Sequence, residues 1–438
     1  MPLCTRSKPS FIPTIIIDRT DKTRRKAGYP QAHLELFSRR RPKEAGSSPR
    51  SGSTTTELGS LRTVNIECRP ISAEEHLAFI KERGSASFLQ TPAWGKVKPE
   101  WRSESLGFFA DGQLTGAGLV LYRQLPKVKR YLAYLPEGPE LDWERADVKE
   151  HLDALVKHAK KRKAFAVRIG PWLTHRRWQA PTIKEAVADE NTTLLSQKEP
   201  DETSLVATRV RNALIHGGWV TDETGEGFAA GQPKFNFQLP LRNEDGSQKT
   251  EDELLKGMNQ QWRRNIKKAT KEGVTVRTGT RDDLAAFHRI YLETAERDGF
   301  TGRKLSYFEL MWDALNAEDP NRMKVYLAEH EGDLVAATTM VTVGEHAWYS
   351  CGASTTAKRE VRGSNAVQWQ MIRDANAASC ATYDMRGIVE GVGSDHPEIG
   401  LIQFKVGTGG EAVAYLGEWD FAINKPIHWA FNQYLKRR

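Results

Sequence analysis

The chain has 438 residues, 39% of them hydrophobic and 27% charged, which is too long for one ordinary domain and apolar enough for two or three packed cores. Its net charge of +8 resides in residues 1–62, which hold 13 Lys+Arg against 5 Asp+Glu. The other 376 residues carry 51 basic and 51 acidic side chains, so total charge is no argument for nucleic acid and any RNA-binding surface on the body must be a local patch.

Taken in chain order, residues 1–62 are rich in Ser, Thr, Pro and Arg without sustained periodicity, which predicts a disordered basic tail. Within it, Arg39-Arg40-Arg41 is either a solvated charge run or a contact for anionic lipid or RNA. From Val64 the pattern turns globular, with a strand over 64–68. A helix over 73–83 follows, started by Ser72 with Glu75 three residues on, a capping box. Strands over 105–110 and 113–123 flank a turn at Asp111-Gly112. Residues 180–204 read as a loop or short helices. Residues 254–271 read as a helix closed by Gly273, too short for a long coiled-coil arm.

An internal repeat organises the body. Asp111-Gly112-Gln113-Leu114-Thr115-Gly116-Ala117 resembles Glu331-Gly332-Asp333-Leu334-Val335-Ala336-Ala337. After each turn come an apolar strand, a second strand (130–135 and 346–351), a helix (146–161 and 365–378) and a further strand (164–169 and 382–388). The order suits an α/β (α+β) chain of two tandem units with mixed sheets, and it resembles the GNAT acyltransferase fold. The expected division is 63–240 for the first GNAT-like unit and 241–438 for the second.

The four cysteines, Cys4, Cys68, Cys351 and Cys380, form no CxxC, and no His cluster accompanies them. A zinc site or disulfide framework is not expected. No apolar run approaches the ~20 residues of a spanning helix, so the expectation is a cytoplasmic protein, at most peripheral to a membrane. There is no GxGxxG after a strand, no Walker loop, no GxSxG and no HExxH, so no cofactor or metal is expected.

Three segments carry candidate chemistry. In Gly400-Leu-Ile-Gln-Phe-Lys405-Val-Gly-Thr-Gly-Gly-Glu411, Lys405 stands among apolar and glycine neighbours. It either meets developing negative charge on a carbonyl oxygen or snorkels to solvent from a strand that ends in a glycine bulge. The segment 261–271 is a basic helix. Arg263, Lys267 and Lys271 lie on one stripe and Arg264 and Lys268 on the next, suited to phosphates or simply to water. Phe88-Leu-Gln-Thr-Pro-Ala-Trp94-Gly-Lys-Val-Lys98 ends in lysines beside a Trp, and Tyr134 to Asp142 is a proline-rigid loop ending in a carboxylate.

Together these segments resemble the FemABX family of aminoacyl-tRNA-dependent peptidoglycan-bridge transferases. The resemblance rests on Phe88-Leu-Gln with Trp94-Gly and Val97-Lys98, the loop 134–142, Arg264-Asn-Ile-Lys-Lys-Ala269 with Gly273-Val274, Gln368-Trp-Gln-Met-Ile372, Tyr383-Asp384 with Gly387-Ile388, and 400–411 followed by Tyr415, Gly417-Glu418 and Asp420. It covers about residues 64–425, and the Phe-Lys-x-Gly-x-Gly-Gly-Glu run is its most specific part. It implies two tandem GNAT-like units without metal, acting as a monomer. It implies transfer of Gly, Ala or Ser from aminoacyl-tRNA to the side-chain amine of stem-peptide residue three in a UDP- or lipid-linked muramyl-peptide precursor. By the same resemblance Lys405 is catalytic with Phe404 beside it, Lys98 and Arg264 take the precursor's diphosphate, and Tyr134 and Tyr349 take the sugar-peptide. Physically, an aminoacyl ester is already activated, so attack by an amine needs positioning and oxyanion stabilisation. Lys405 is assigned to the oxyanion or the tRNA 3′ end and Asp142 to holding the amine.

Two other readings stay open at this point. One is an acyl-CoA-dependent N-acyltransferase on the same fold, whose pyrophosphate loop would fall at Glu360-Val-Arg-Gly363-Ser-Asn365. The other is a non-enzymatic RNA- or membrane-binding protein working through the basic tail.

Overall fold

A computed structural model describes residues 65–221 and 231–436. The basic tail and Val64 lie outside the described residues. The capping box predicted at Ser72 is present. Ser72 Oγ accepts the Glu75 N–H at 3.1 Å and the Glu75 carboxylate accepts the Ser72 N–H at 2.8 Å, starting the helix Ala73–Lys81.

Two mixed sheets carry the repeat. In the first, Ile66–Pro70, Arg102–Ala110, Gln113–Leu125 and Val128–Leu135 run antiparallel in sequence order, then Ala164–Ile169 lies parallel to Val128–Leu135. In the second, Thr275–Thr278, Met323–His330, Asp333–Val343 and His346–Ser354 repeat that meander, and Thr382–Gly387 lies parallel to His346–Ser354. The repeated turn is the same to a few degrees. Asp111 and Glu331 have φ of 49° and 52°, and Gly112 and Gly332 both have φ of 84°, a left-handed conformation that glycine adopts without strain. The crossover helices Val148–Lys161 and Gly363–Ala377 complete the two α/β units. This is the expected pair of tandem GNAT-like units with mixed sheets. The longest described helices have 15 residues, and no coiled-coil arm occurs among the described residues.

Neither sheet comes from one continuous stretch. Phe235–Pro240, Thr174–Trp178 and Glu202–Thr203 extend the second sheet, while Trp419–Ala422 near the C-terminus pairs with Ala164–Ile169 in the first. Residues 180–204 form the short helices Ala180–Ala188 and Leu195–Gln197 on the way. One apolar cluster unites both units, joining Phe88, Trp94 and Leu119 to Phe287, Phe308 and Trp348.

Two local readings need correction. The helix expected over 254–271 is two helices, Glu251–Gly257 and Gln260–Lys271, with Met258 extended between them. Asn259 restarts the chain by accepting the Trp262 N–H on its side chain at 2.9 Å, an N-cap that competes with helix continuation. The strand expected around Lys405 is instead the helix Ile399–Val406, which buries Ile402, Lys405 and Val406. Those positions follow the helical spacing i, i+3, i+4. The flanking glycines disguised that spacing as a strand and bulge.

Candidate active site

The two parallel strand pairs differ where they end. In the first unit, pairing runs from Tyr131↔Ala164 to Leu135↔Ile169. In the second it covers only His346↔Thr382, Ala347↔Tyr383 and Trp348↔Asp384, and the strands then splay. The register of Thr382–Gly387 against Phe235–Pro240 also shifts between Asp384 and Gly387, and Arg386 within that bulge has φ of 63°. The bulge leaves Arg386 without a partner in that register, and Lys405 meets the carbonyls of Arg386 and of Gly387 after it. Its Nζ donates to Gly387 O at 2.7 Å and Arg386 O at 3.2 Å.

Lys405 is therefore buried, 3% exposed, and does not reach solvent. Burial, opposed by Asp384 and reinforced by Arg386, pushes its pKa down to about 7. Burial alone would raise Asp384, but His346 and Arg386 hold it below the usual carboxylate value. The Arg386 backbone N–H donates to Asp384 Oδ1 at 2.6 Å and Gln238 donates to Oδ2 at 3.2 Å. The glycines after Lys405 serve packing within the protein. A Cβ on Gly407 would run into the Trp262 ring, and one on Gly409 into the Gly257 carbonyl. Phe404 lies against Trp262 with ring centroids 4.8 Å apart, and the Trp262 indole N–H donates to Phe404 O at 2.7 Å.

A narrow cleft, with about 40 Å³ of enclosed space, lies between the units at the splay. The first unit contributes Phe88, Trp94, Lys98 and Tyr134. The second contributes Arg303, Tyr307, Ser350, Cys351 and Arg386, and Gln232 lies between them. Lys98 Nζ sits over the rings of Tyr307 and Trp94 at 4.8 and 5.5 Å, a cation–π arrangement. Burial, with Arg303 nearby, lowers the Lys98 pKa to about 8. Arg386 Nη1 pairs with Glu137 at 3.0 Å and Nη2 donates to Gln232 at 3.1 Å, while its buried Nε has no partner. Tyr134 donates its hydroxyl to Glu418 at 2.5 Å. Burial and that carboxylate hold the phenol well above its ordinary pKa.

The residues singled out in the sequence thus separate. Lys98 and Tyr134 line the cleft, and Lys405 supports the backbone of Arg386 from behind it. Asp142 is exposed at the end of its loop, its Oδ1 accepting the Glu144 N–H at 3.0 Å. Arg264 is exposed on the outer face of Gln260–Lys271, whereas Arg263 is tied to the carbonyls of Lys256 and Met258. Tyr349 is half-buried in the second unit's core, one residue before the cleft-lining Ser350. Sequence reasoning missed Arg303, Tyr307, Gln232 and Arg386. Only Arg386 had a local signal, because it sits between the family-like Asp384 and Gly387. Among the described residues no group of three or more His, Cys, Asp or Glu could hold a metal ion.

Fold and cleft define a tandem GNAT-like chain with a cationic, aromatic site between its units. The chain belongs to the FemAB family, whose sequence model matches residues 71–330 and 321–437. It is 24% identical to a lipid II:glycine glycyltransferase of Staphylococcus epidermidis, over 83% of this chain and 94% of that protein. It is likewise 24% identical to one from Staphylococcus aureus, over 84% and 96%. The crystal structure of FemX superposes with a TM-score of 0.68 at 22% identity, covering 83% of this chain and 99% of that one.

Proposed function

We propose that the chain is an aminoacyltransferase of peptidoglycan-bridge synthesis. It moves Gly, Ala or Ser from aminoacyl-tRNA to the side-chain amine of stem-peptide residue three in a lipid-linked or UDP-linked muramyl-peptide precursor. The observation that carries this reading is the cleft at the splayed strands, where Lys98, Arg303 and Arg386 converge beside Tyr134 and Tyr307. Such a lining suits an anionic sugar-peptide. The likeness to lipid II:glycine glycyltransferases along most of both chains supplies the acceptor class.

In this reading the acceptor amine attacks the aminoacyl ester carbonyl. The new C–N bond forms as the ester C–O bond breaks, and the tRNA ribose oxygen leaves with the proton the amine gives up. Lys98 holds the acceptor's phosphate. Lys405 fixes the Arg386–Gly387 backbone at the splay, and in its charged form it adds positive potential where the oxyanion develops. Asp142 holds the incoming ammonium, which releases one proton to solvent before the neutral amine attacks, and Arg264 meets phosphate from the outer helix face. The test is transfer of label from a mixed pool of charged tRNAs to purified lipid-linked and UDP-linked muramyl pentapeptides. Label should reach the third residue of the stem and be lost after ribonuclease treatment. Ribonuclease-resistant transfer with acyl-CoA as donor would overturn the reading.

A further inference from the structure

The body of the chain is neutral overall, yet one end of the first sheet is not. Parallel pairing of Val128–Leu135 with Ala164–Ile169 brings the residues before both strands to that end. The hairpin there exposes Lys127, Lys129 and Arg130, and the end of the crossover helix exposes Lys160, Lys161 and Lys163. None of the six makes an ion pair among the described residues, whereas Arg162 between them is taken by Glu104 at 2.9 Å.

Apolar groups stand out of the same surface. Val128, between two of those lysines, is 48% exposed. The C-terminal helix Lys425–Lys436 lies across this end, anchored where the Asn424 N–H donates to Phe165 O, Phe431 packs on Phe165 at 5.3 Å, and Leu435 joins Leu125 in one cluster. Its outer face presents Trp429, 67% exposed, and Tyr434, 43% exposed. A soluble surface normally scatters such side chains singly. Here an aliphatic hairpin tip sits between lysines, and two aromatics stand exposed on the helix that packs at the same end of the sheet, on the face opposite the crossover helix.

We propose that this end of the first unit, Lys127–Arg130 with Lys160–Lys163 and the outer face of the C-terminal helix, is a docking surface for an anionic lipid bilayer. Lysines meet the headgroup charge while their stems lie along it, and Trp, Tyr and Val enter the headgroup boundary. An RNA backbone would use the lysines but gives an aliphatic tip such as Val128 nothing to enter, so the mixture favours lipid. No described helix is long and apolar enough to cross a membrane, and this contact needs none. The surface is about 20 Å along the strand from Tyr134 in the cleft, six residues on. Variants there leave the cleft lining intact, and the proposal stands apart from the transfer reading.

The test is co-sedimentation of the full chain with vesicles of phosphatidylcholine containing 30% phosphatidylglycerol, and with phosphatidylcholine alone. Binding is expected to the anionic vesicles only. Lys127→Ser/Lys129→Ser/Lys160→Ser should weaken it by about a hundredfold, from roughly 1 kcal/mol per basic residue. Val128→Ser/Trp429→Ser should weaken it further at high salt, with the melting temperature of each variant unchanged. Because residues 1–62 are also basic, Arg39→Ser/Arg40→Ser/Arg41→Ser is the control, expected to keep most of the binding. If the surface variants sediment like wild type, or lose affinity for total tRNA while keeping it for vesicles, the proposal is overturned.

Discussion

Arg386 of the second unit and Glu137 of the first form an ion pair at 3.0 Å, with side chains 3% and 6% exposed. The pair ties the splayed strand to the loop that follows Tyr134, and Ser87 Oγ donates to the same carboxylate at 2.6 Å. Removing one partner strands the other charge in the interior, which costs about 3–5 kcal/mol, whereas removing both costs far less. Arg386→Met should therefore be strongly destabilising, and Arg386→Met/Glu137→Leu should recover most of the loss. Urea unfolding of the two single variants and the double variant gives the coupling directly. A coupling near zero would mean the cleft wall does not depend on the pair.

Lys405 gives stability a pH dependence of definite sign. An unfolded lysine keeps its proton to about pH 10.4, whereas burial lowers the folded value to about 7. Below pH 7 both states are protonated and the contribution is flat. From pH 7 upward the unfolded state binds the extra proton, so stability rises with pH, by up to roughly 1.4 kcal/mol per unit. Lys405→Met should remain folded, lose that rise and lose most transfer activity. Denaturant midpoints at pH 7, 8 and 9 check it. Parallel profiles for wild type and variant would show that Lys405 stays charged in the fold.

Lys98 should behave as a ligand site that the fold tolerates at a cost. Its pKa of about 8 reflects burial and Arg303, so an arriving phosphate should draw a proton onto it. Calorimetry with UDP-muramyl pentapeptide at pH 8, in buffers of different ionisation enthalpy, should register proton uptake. Lys98→Met should weaken binding by about tenfold or more, abolish the uptake, and leave the melting temperature unchanged or higher, since it removes a desolvated cation.

The parts of this molecule legible in sequence are those written in local pattern. The two hairpin turns repeat the same acidic-Gly-polar-Leu pattern and share their left-handed φ values, and the Ser72 capping box closes as its spacing demands. What escaped was set by distant contacts. Arg303 and Tyr307 reach the cleft only because their segment packs beside Trp94 and Lys98, and nothing near them in sequence announces it. The exchange of Trp419–Ala422 into the first sheet and Phe235–Pro240 into the second is equally nonlocal. Around Lys405 the sequence misled because glycines that serve close packing look the same as glycines that break structure.

That last distinction can be measured. Gly112 and Gly409 both have φ of 84°, but a Cβ on Gly112 would meet nothing within 4 Å, while one on Gly409 would meet the Gly257 carbonyl. Gly112→Ala should therefore cost only the left-handed strain, about 1–2 kcal/mol. Gly409→Ala carries the same strain and must also push the helix Ile399–Val406 away from Glu251–Gly257, so it should cost clearly more. Because Lys405 sits on that helix, Gly409→Ala should also depress kcat while Gly112→Ala leaves it near wild type. Equal losses of stability in the two variants would assign the second glycine to backbone conformation alone and detach it from the seating of Lys405.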